Sequence, residues 1–464
     1  MPISRENIEK WSNSYWFLKH YVDFGFKFYF KTTVAGFENI PKKGTFIFTP
    51  NHQNALMDAL GILCLKPWQP VYLARADIFN NPFICKVLTF LKIMPVYRFR
   101  DGFENLNKND EIFKKTMDVL RNGNGLVILP EGNHGDEKRL RPLKKGVARI
   151  AFQAESIGAN DLDIKIIPVG MDYTHYVHVG SELHIRFGSA INVKPLLVEY
   201  NENPAKAYNS LLELLSAGIK KEMIHITDEK YYPNYLTILD VFTRTYLEKQ
   251  KLHNTHENRV DAQQLFISKI DELKENDFDS FLLLIANTIE INNIAKKTKI
   301  NLKSFPSRKS DYLQAMYRFV LLILSLPLFV YSLINNIIPI LTPYIFTNRK
   351  IKDLQFHSSL RFGFGLVLSP IVHAIQLLVF IIVSKSLPLS LAYASSLPLT
   401  VFLYFGWRDW FFSSVNTLRE LALKITKSKQ LKRGVAVHEL LVKRMWDIVQ
   451  SKTEEEYLPN YLSE

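Results

Sequence analysis

Three stretches of this chain carry no charged side chain: 319–348, 362–384 and 386–407. Apolar runs of twenty or more residues suit helices that cross a bilayer, because only a helix satisfies its own backbone polar groups in hydrocarbon. The first run is interrupted by Pro327, Asn335, Asn336 and Pro339. It is expected to break around Asn335-Asn336 into a re-entrant hairpin over 319–347, whereas 362–384 and 386–407 are expected to span. Arg318, Arg349, Lys350, Lys352, Arg361 and the tail are basic, while Lys385 stands alone between the second and third runs. If basic loops stay on the cytoplasmic side, the hairpin returns to its own side and the next two runs cross as a pair. That leaves the preceding domain and the tail in the cytoplasm. The membrane region is set at 311–410 and a basic helical tail at 411–464. In the tail, Lys424, Lys427, Lys429, Lys432 and Arg433 suit either an acidic lipid surface or a plain solvated helix.

The opposite end has its own lipid signal. Aromatic residues crowd positions 11–30, but Lys19, His20, Asp23 and Lys27 interrupt them. Residues 1–35 therefore read as an interfacial helix, or as a helix packed on the soluble domain, and not as a span. The first ten residues are polar and mixed in charge, unlike a signal peptide. Lysine and arginine exceed acidic residues by 58 − 45 = 13. Such a balance favours an anionic partner, and an aromatic content of 13% turns the choice towards lipid and away from nucleic acid. Cys64 and Cys85 lie in apolar surroundings without metal-like spacing, as buried thiols of a reducing compartment do.

Between these ends, short apolar runs alternate with helical patterns. Strands are predicted at 45–49, 71–73, 127–129, 164–169 and 183–187, and helices at 57–64, 82–91, 106–122 and 145–157. Such alternation argues an α/β sandwich with a largely parallel or mixed sheet over 36–205. From 206 to 310 the strand signals fade, and helical spacing such as Leu265, Ile267, Ile270 and Leu273 suggests a helical region without chemistry.

Four blocks carry the chemistry. The strand at 45–49 exits into Pro50-Asn51-His52, and Asp58 follows in the next helix. A carboxylate holding one imidazole nitrogen protonated leaves the other free to take a proton from an alcohol. In the second block, Pro95-Val96-Tyr97-Arg98-Phe99-Arg100 puts two arginines on one side of an extended segment, where guanidinium suits phosphate oxygens. In the third, a strand ends at Pro130-Glu131-Gly132, where Gly132 permits close backbone approach and Glu131 can meet a hydroxyl or orient a basic neighbour. Six cations without an acid follow between Lys138 and Arg149, with Lys145-Gly146 opening a helix whose amides favour an anion. The fourth, Ile166-Ile167-Pro168-Val169-Gly170-Met171-Asp172-Tyr173, reads as a buried strand. No metal cluster, nucleotide loop or nucleic-acid module is evident.

In order and spacing, these blocks resemble the glycerolipid acyltransferases, which include glycerol-3-phosphate and lysophosphatidic acid acyltransferases. The resemblance covers roughly 36–193 and departs twice. Five residues, not the family's four, separate His52 from Asp58, and Asn133-His134 replace a usual Thr-Arg. Six helical steps leave the two side chains far apart, so a turn at the helix start must bring them together. The longer spacing, the chain length and the C-terminal membrane region look most like the yeast-type enzymes.

The resemblance implies an acyltransferase-type α/β sandwich with catalytic domain 36–205, His52 as general base and Asp58 orienting it. Arg98 with Glu131 and Gly132 would hold a phosphorylated glycerol or lysolipid acceptor, with Arg75 and Lys145 as weaker candidates. The acyl donor would be a coenzyme A or acyl carrier protein thioester, needing neither cofactor nor metal. The implied place is a bacterial inner membrane or the endoplasmic reticulum. A lysophospholipid transacylase or hydrolase with the same pair, and a non-catalytic lipid-binding membrane protein, are the alternatives.

Overall fold

The computed structural model describes residues 7–41, 45–97, 108–121, 123, 125–135, 137–157 and 162–450. Two compact units divide the chain, one of Met1–Ile224 with Ile338–Val372, the other of His225–Ile337 with the residues from His373 on.

The first unit is built on an eight-stranded mixed sheet in the order β1-β7-β6-β2-β5-β3-β4, with β8 also pairing β6. Its strands are β1 (Phe30–Ala35), β2 (Thr45–Pro50), β3 (Val71–Arg75), β4 (Ile93–Val96), β5 (Leu126–Ile128), β6 (Ile164–Tyr173), β7 (Ser181–Phe187) and β8 (Ile191–Asn192). Strands β6, β2, β5, β3 and β4 run parallel. Among the described residues only β7 and β8 pair antiparallel, both on β6. The parallel strands are near-continuous apolar runs because both faces of the sheet are covered. Alternation sends Ile47, Val71, Leu73, Leu126, Ile128 and Ile166 to one face and Phe48, Tyr72, Val127, Ile167, Val169 and Met171 to the other. Helices α4 (Lys108–Arg121), α5 (Gly146–Ile157) and α7 (Pro204–Glu222) supply the core of the first face. Helices α1 (Asn13–Tyr29) and α2 (Leu56–Leu63) supply that of the second, while α3 (Pro82–Phe90) precedes β4 and the short α6 (Leu197–Glu202) precedes α7.

In the first unit, two boundaries differ from the sequence reading. The sheet unit does not stop at 205: α7, capped by the Asn203 side chain on Lys206 N–H, buries Ala207, Leu211, Leu215 and Ile219 against the sheet. Their spacing of four residues makes one stripe, and the stripe's partner is the sheet behind it rather than the helices ahead. Nor is 1–35 helical throughout. After Tyr29 the chain extends into β1, an edge strand parallel to β7. Helix α1 itself is two-sided: Tyr15, Phe26 and Tyr29 enter the core, while Phe17, Tyr21 and Phe24 stay exposed. Cys64 is buried and Cys85 only partly so, and both are free thiols.

In the second unit, α8 (Tyr232–Lys249), α9 (His256–Asn276), α10 (Phe278–Thr298) and α15 (Lys429–Gln450) pack around Phe242, Phe266 and Trp446. The tail is thus tied to helices α8, α9 and α10 by the apolar face of α15, with Leu441 and Met445 fully buried, and Arg433 pairs with Glu290.

Helices α12 (Leu326–Lys350), α13 (Gln355–Ser384) and α14 (Leu387–Ile425) are long and apolar enough to cross a membrane. The expected hairpin break at Asn335-Asn336 is absent, since α12 runs through both residues. Each asparagine amide donates to the carbonyl four residues back, Tyr331 and Ser332. Asn336 also donates to Thr400 Oγ1, and Tyr393 donates to Asn335 Oδ1. Amides satisfied in this way need no break in the helix. The interruption falls instead at Ser325, which ends α11 (Lys309–Leu324). Pro327 then sits in the first turn of α12, where no N–H is required. Helix α14 continues to Ile425, so the expected boundary at 410 falls inside it.

Candidate active site

Because β2, β5, β3 and β4 are parallel neighbours, their carboxyl ends open along one edge of the sheet. The chain leaves β2 through Asn51, which is fully buried and bridges to β6. Its side chain donates to Met171 C=O (3.1 Å) and accepts from Met171 N–H (2.7 Å). This clamp fixes where His52 emerges.

Asp58 is completely buried in the first turn of α2 and collects four donors. Its Oδ2 accepts from His52 Nδ1 (2.8 Å), Gln53 N–H (2.8 Å) and Asn54 N–H (2.7 Å). Its Oδ1 accepts from the Tyr173 hydroxyl at 2.8 Å. The five intervening residues are absorbed by a tight turn closed by Met57 N–H on Asn54 C=O, with Ala55 at φ 44°, ψ −123°. That is close to the second residue of a type II′ turn, a place glycine ordinarily takes. With Nδ1 held by the carboxylate, Nε2 of the His52 ring, 12% exposed, is the nitrogen left to accept a proton.

Glu131 meets the backbone of two basic neighbours. It is buried, its Oε1 accepts from His52 N–H (2.6 Å) and its Oε2 accepts from Arg141 N–H (3.0 Å). Both oxygens thus face protein backbone, and the carboxyl ties the exits of β2 and β5 to the cationic loop instead of presenting itself to an acceptor. Burial pushes its pKa up to about 7, a shift that these two hydrogen bonds only partly oppose. Gly132 beside it adopts φ +67°, closing the turn through its N–H on Leu129 C=O.

His134 lies edge-on to His52, ring centroids 5.3 Å apart, and burial lowers its pKa. The Arg141 guanidinium donates to His134 C=O and lies over Gly135, whose N–H donates in turn to His52 C=O. Lys138 is paired with Asp172.

The other expected residues are distributed along the edge. Arg75 ends β3, two strands from β2, which is about 10 Å at ordinary strand spacing. Its guanidinium is engaged by Asp77 through two hydrogen bonds of 3.2 and 3.0 Å. Lys145 is exposed immediately before α5. Arg98 lies outside the described residues, two positions after Val96, the register partner of Arg75. Sequence reasoning missed Asn51 and Tyr173. The signal for Tyr173 was its phenol at the end of an otherwise apolar buried strand, since a buried hydroxyl needs a partner. Among the described residues no group of three or more His, Cys, Asp or Glu stands in a metal-binding arrangement.

A partly exposed imidazole held on one side by a buried carboxylate, at the carboxyl end of the parallel strands of an α/β sheet, can accept a proton at its other ring nitrogen. Residues 31–172 match the model of the Acyltransferase family. Glycerol-3-phosphate O-acyltransferase 1 of Saccharomyces cerevisiae is 31% identical over 120 residues, covering 25% of this chain and 16% of the yeast protein. The 1-acyl-sn-glycerol-3-phosphate acyltransferase of Borreliella burgdorferi is 29% identical over 156 residues, 32% of this chain and 60% of that enzyme. The matched segment therefore spans less than two thirds of either relative's length. A crystal structure of the 1-acyl-sn-glycerophosphate acyltransferase of Thermotoga maritima aligns with TM-score 0.32 and 20% identity, over 44% of this chain and 78% of that one.

Proposed function

We propose that this protein is a membrane-bound acyltransferase that moves a fatty acyl group from an acyl thioester to a hydroxyl of glycerol 3-phosphate or 1-acylglycerol 3-phosphate. The observation that carries the reading is the His52–Asp58 hydrogen bond, lying within the acyltransferase-family segment. His52 Nε2 takes the proton of the acceptor hydroxyl as its oxygen attacks the thioester carbonyl. Asp58 stabilises the imidazolium that forms. As the tetrahedral intermediate collapses, the C–S bond breaks and the thiolate takes the proton back from His52, so an ester and a free thiol leave. No acyl-enzyme and no metal enters this route. Coenzyme A or acyl carrier protein would be the thiol carrier. The three long apolar helices would keep the domain at the membrane, and the exposed aromatic face of α1 would rest in the lipid interface. Arg98, Arg75 and Lys145 would meet the acceptor phosphate.

The test uses the full chain in lipid nanodiscs with a labelled acyl thioester and either glycerol 3-phosphate, 1-acylglycerol 3-phosphate, an uncharged lysolipid or no acceptor. Thiol release should depend on a phosphorylated acceptor and match ester formed one for one. Equal release with no acceptor would mean a hydrolase, and none with any acceptor would remove the proposal.

A further inference from the structure

The start of α13, far beyond the family match, reaches into the catalytic loop of its own unit. Ser358 Oγ donates to Asn54 Oδ1 at 2.5 Å, and Ser359 Oγ accepts from Leu56 N–H at 3.1 Å. One turn earlier, Gln355 is hydrogen-bonded to the His134 ring, and Phe356 lies edge-on to that ring at 4.6 Å. Both serines are buried. The turn that bears them is anchored behind by Arg361 Nε on Thr347 Oγ1 (2.9 Å) and by a His357 Nε2 contact with Ile351 C=O (3.0 Å).

These contacts fall where the loop is least able to hold itself. The first N–H groups of a helix lack partners within it, and a side chain at the N-cap ordinarily supplies one. The N-cap of α2 is Ala55, whose side chain carries no oxygen and makes no capping bond. Ala55 also sits at φ 44°, a region L-residues avoid. Ser359 supplies from another helix the cap that Ala55 lacks. Ser358 holds the Asn54 side chain while the Asn54 amide points at Asp58.

We infer that Ser358 and Ser359 are positioning residues, holding the strained turn that carries Asp58 to His52, so that a helix outside the acyltransferase match completes the site. This rests on the reading of His52 and Asp58 as the catalytic pair.

The experiment uses the full chain in nanodiscs and two readouts: acyl-transfer kinetics, and amide hydrogen exchange in the peptide containing 54–58. Ser359→Ala should lower kcat about tenfold with both KM values within about twofold, as expected for one lost hydrogen bond that orients the site. Exchange at 54–58 should quicken without any substrate present. Ser359→Thr, which keeps the hydroxyl, should behave as the parent protein. Ala55→Gly added to Ser359→Ala should restore most of the rate, because glycine adopts positive φ unaided. A Ser359→Ala protein with unchanged kcat overturns the inference. So does a loss that neither threonine nor the added glycine recovers, which would mark general disruption. A parent protein that transfers no acyl group while its loop exchange responds to Ser359→Ala would refute the acyltransferase reading, whereas transfer with an unresponsive loop would refute the positioning role of the serines alone.

Discussion

Asp58→Asn should lower kcat by about a thousandfold while leaving the KM of donor and acceptor within about threefold. The substitution is chosen because the fold tolerates it. The amide oxygen can occupy the Oδ2 position and go on accepting from His52, Gln53 and Asn54. The amide nitrogen then faces the Tyr173 hydroxyl, which can rotate to accept. What disappears is the negative charge that stabilises the imidazolium in a completely buried site. That charge acts only once the proton has moved, so its loss falls on kcat and not on ground-state binding. Steady-state kinetics on the purified variant, with unchanged thermal unfolding as the control, checks this. A loss under tenfold would show that Asp58 merely packs the loop.

Glu131→Ala should cost both stability and rate. It strands the N–H groups of His52 and Arg141, the first of them at the residue that must be placed most accurately. Each buried donor left unpaired costs about 1–3 kcal/mol. Loss of the tie should lower kcat about a hundredfold by letting His52 drift. The stability effect has a definite pH dependence. The Glu131 carboxyl titrates near 4.5 when unfolded and at about 7 in the folded chain, so the native state holds the proton more tightly. Its stabilising contribution is then fully present below the unfolded value and is lost as pH rises through about 7. The gap in Tm between parent and Glu131→Ala should therefore be wider at pH 5 than at pH 8. A gap that widens towards alkaline pH would contradict the burial-driven shift.

Much of the sheet unit is legible in the sequence, because its signals are local. Continuous apolar runs ended by Pro50 and Pro130 mark strands that deliver polar groups to one edge, and the runs between them have helical period. The turn needed between His52 and Asp58 also follows from helix geometry alone. What stays hidden depends on partners far away in the chain. Tyr173 and Asn51 lie on or beside apolar strands, and their roles come from Asp58 and Met171, residues 115 and 120 positions distant. Glu131 looks like a ligand for substrate because nothing nearby in sequence shows that its oxygens are taken by His52 and Arg141. Asn335 and Asn336 look like a break in an apolar run until Tyr393 and Thr400 are placed beside them. The serines of α13 carry no pattern, since a cap supplied by another helix has no fixed spacing from the helix it caps.

The role proposed for His52, as the base for acyl transfer, is tested most directly by one comparison. Parent protein and His52→Ala, each purified in nanodiscs with equal thermal unfolding, are given the same acyl thioester and phosphorylated acceptor, and ester is measured by mass. Ester formation should fall at least about a thousandfold in His52→Ala, as removal of a catalytic base requires. Ester formed by His52→Ala at a rate within tenfold of the parent would contradict the account.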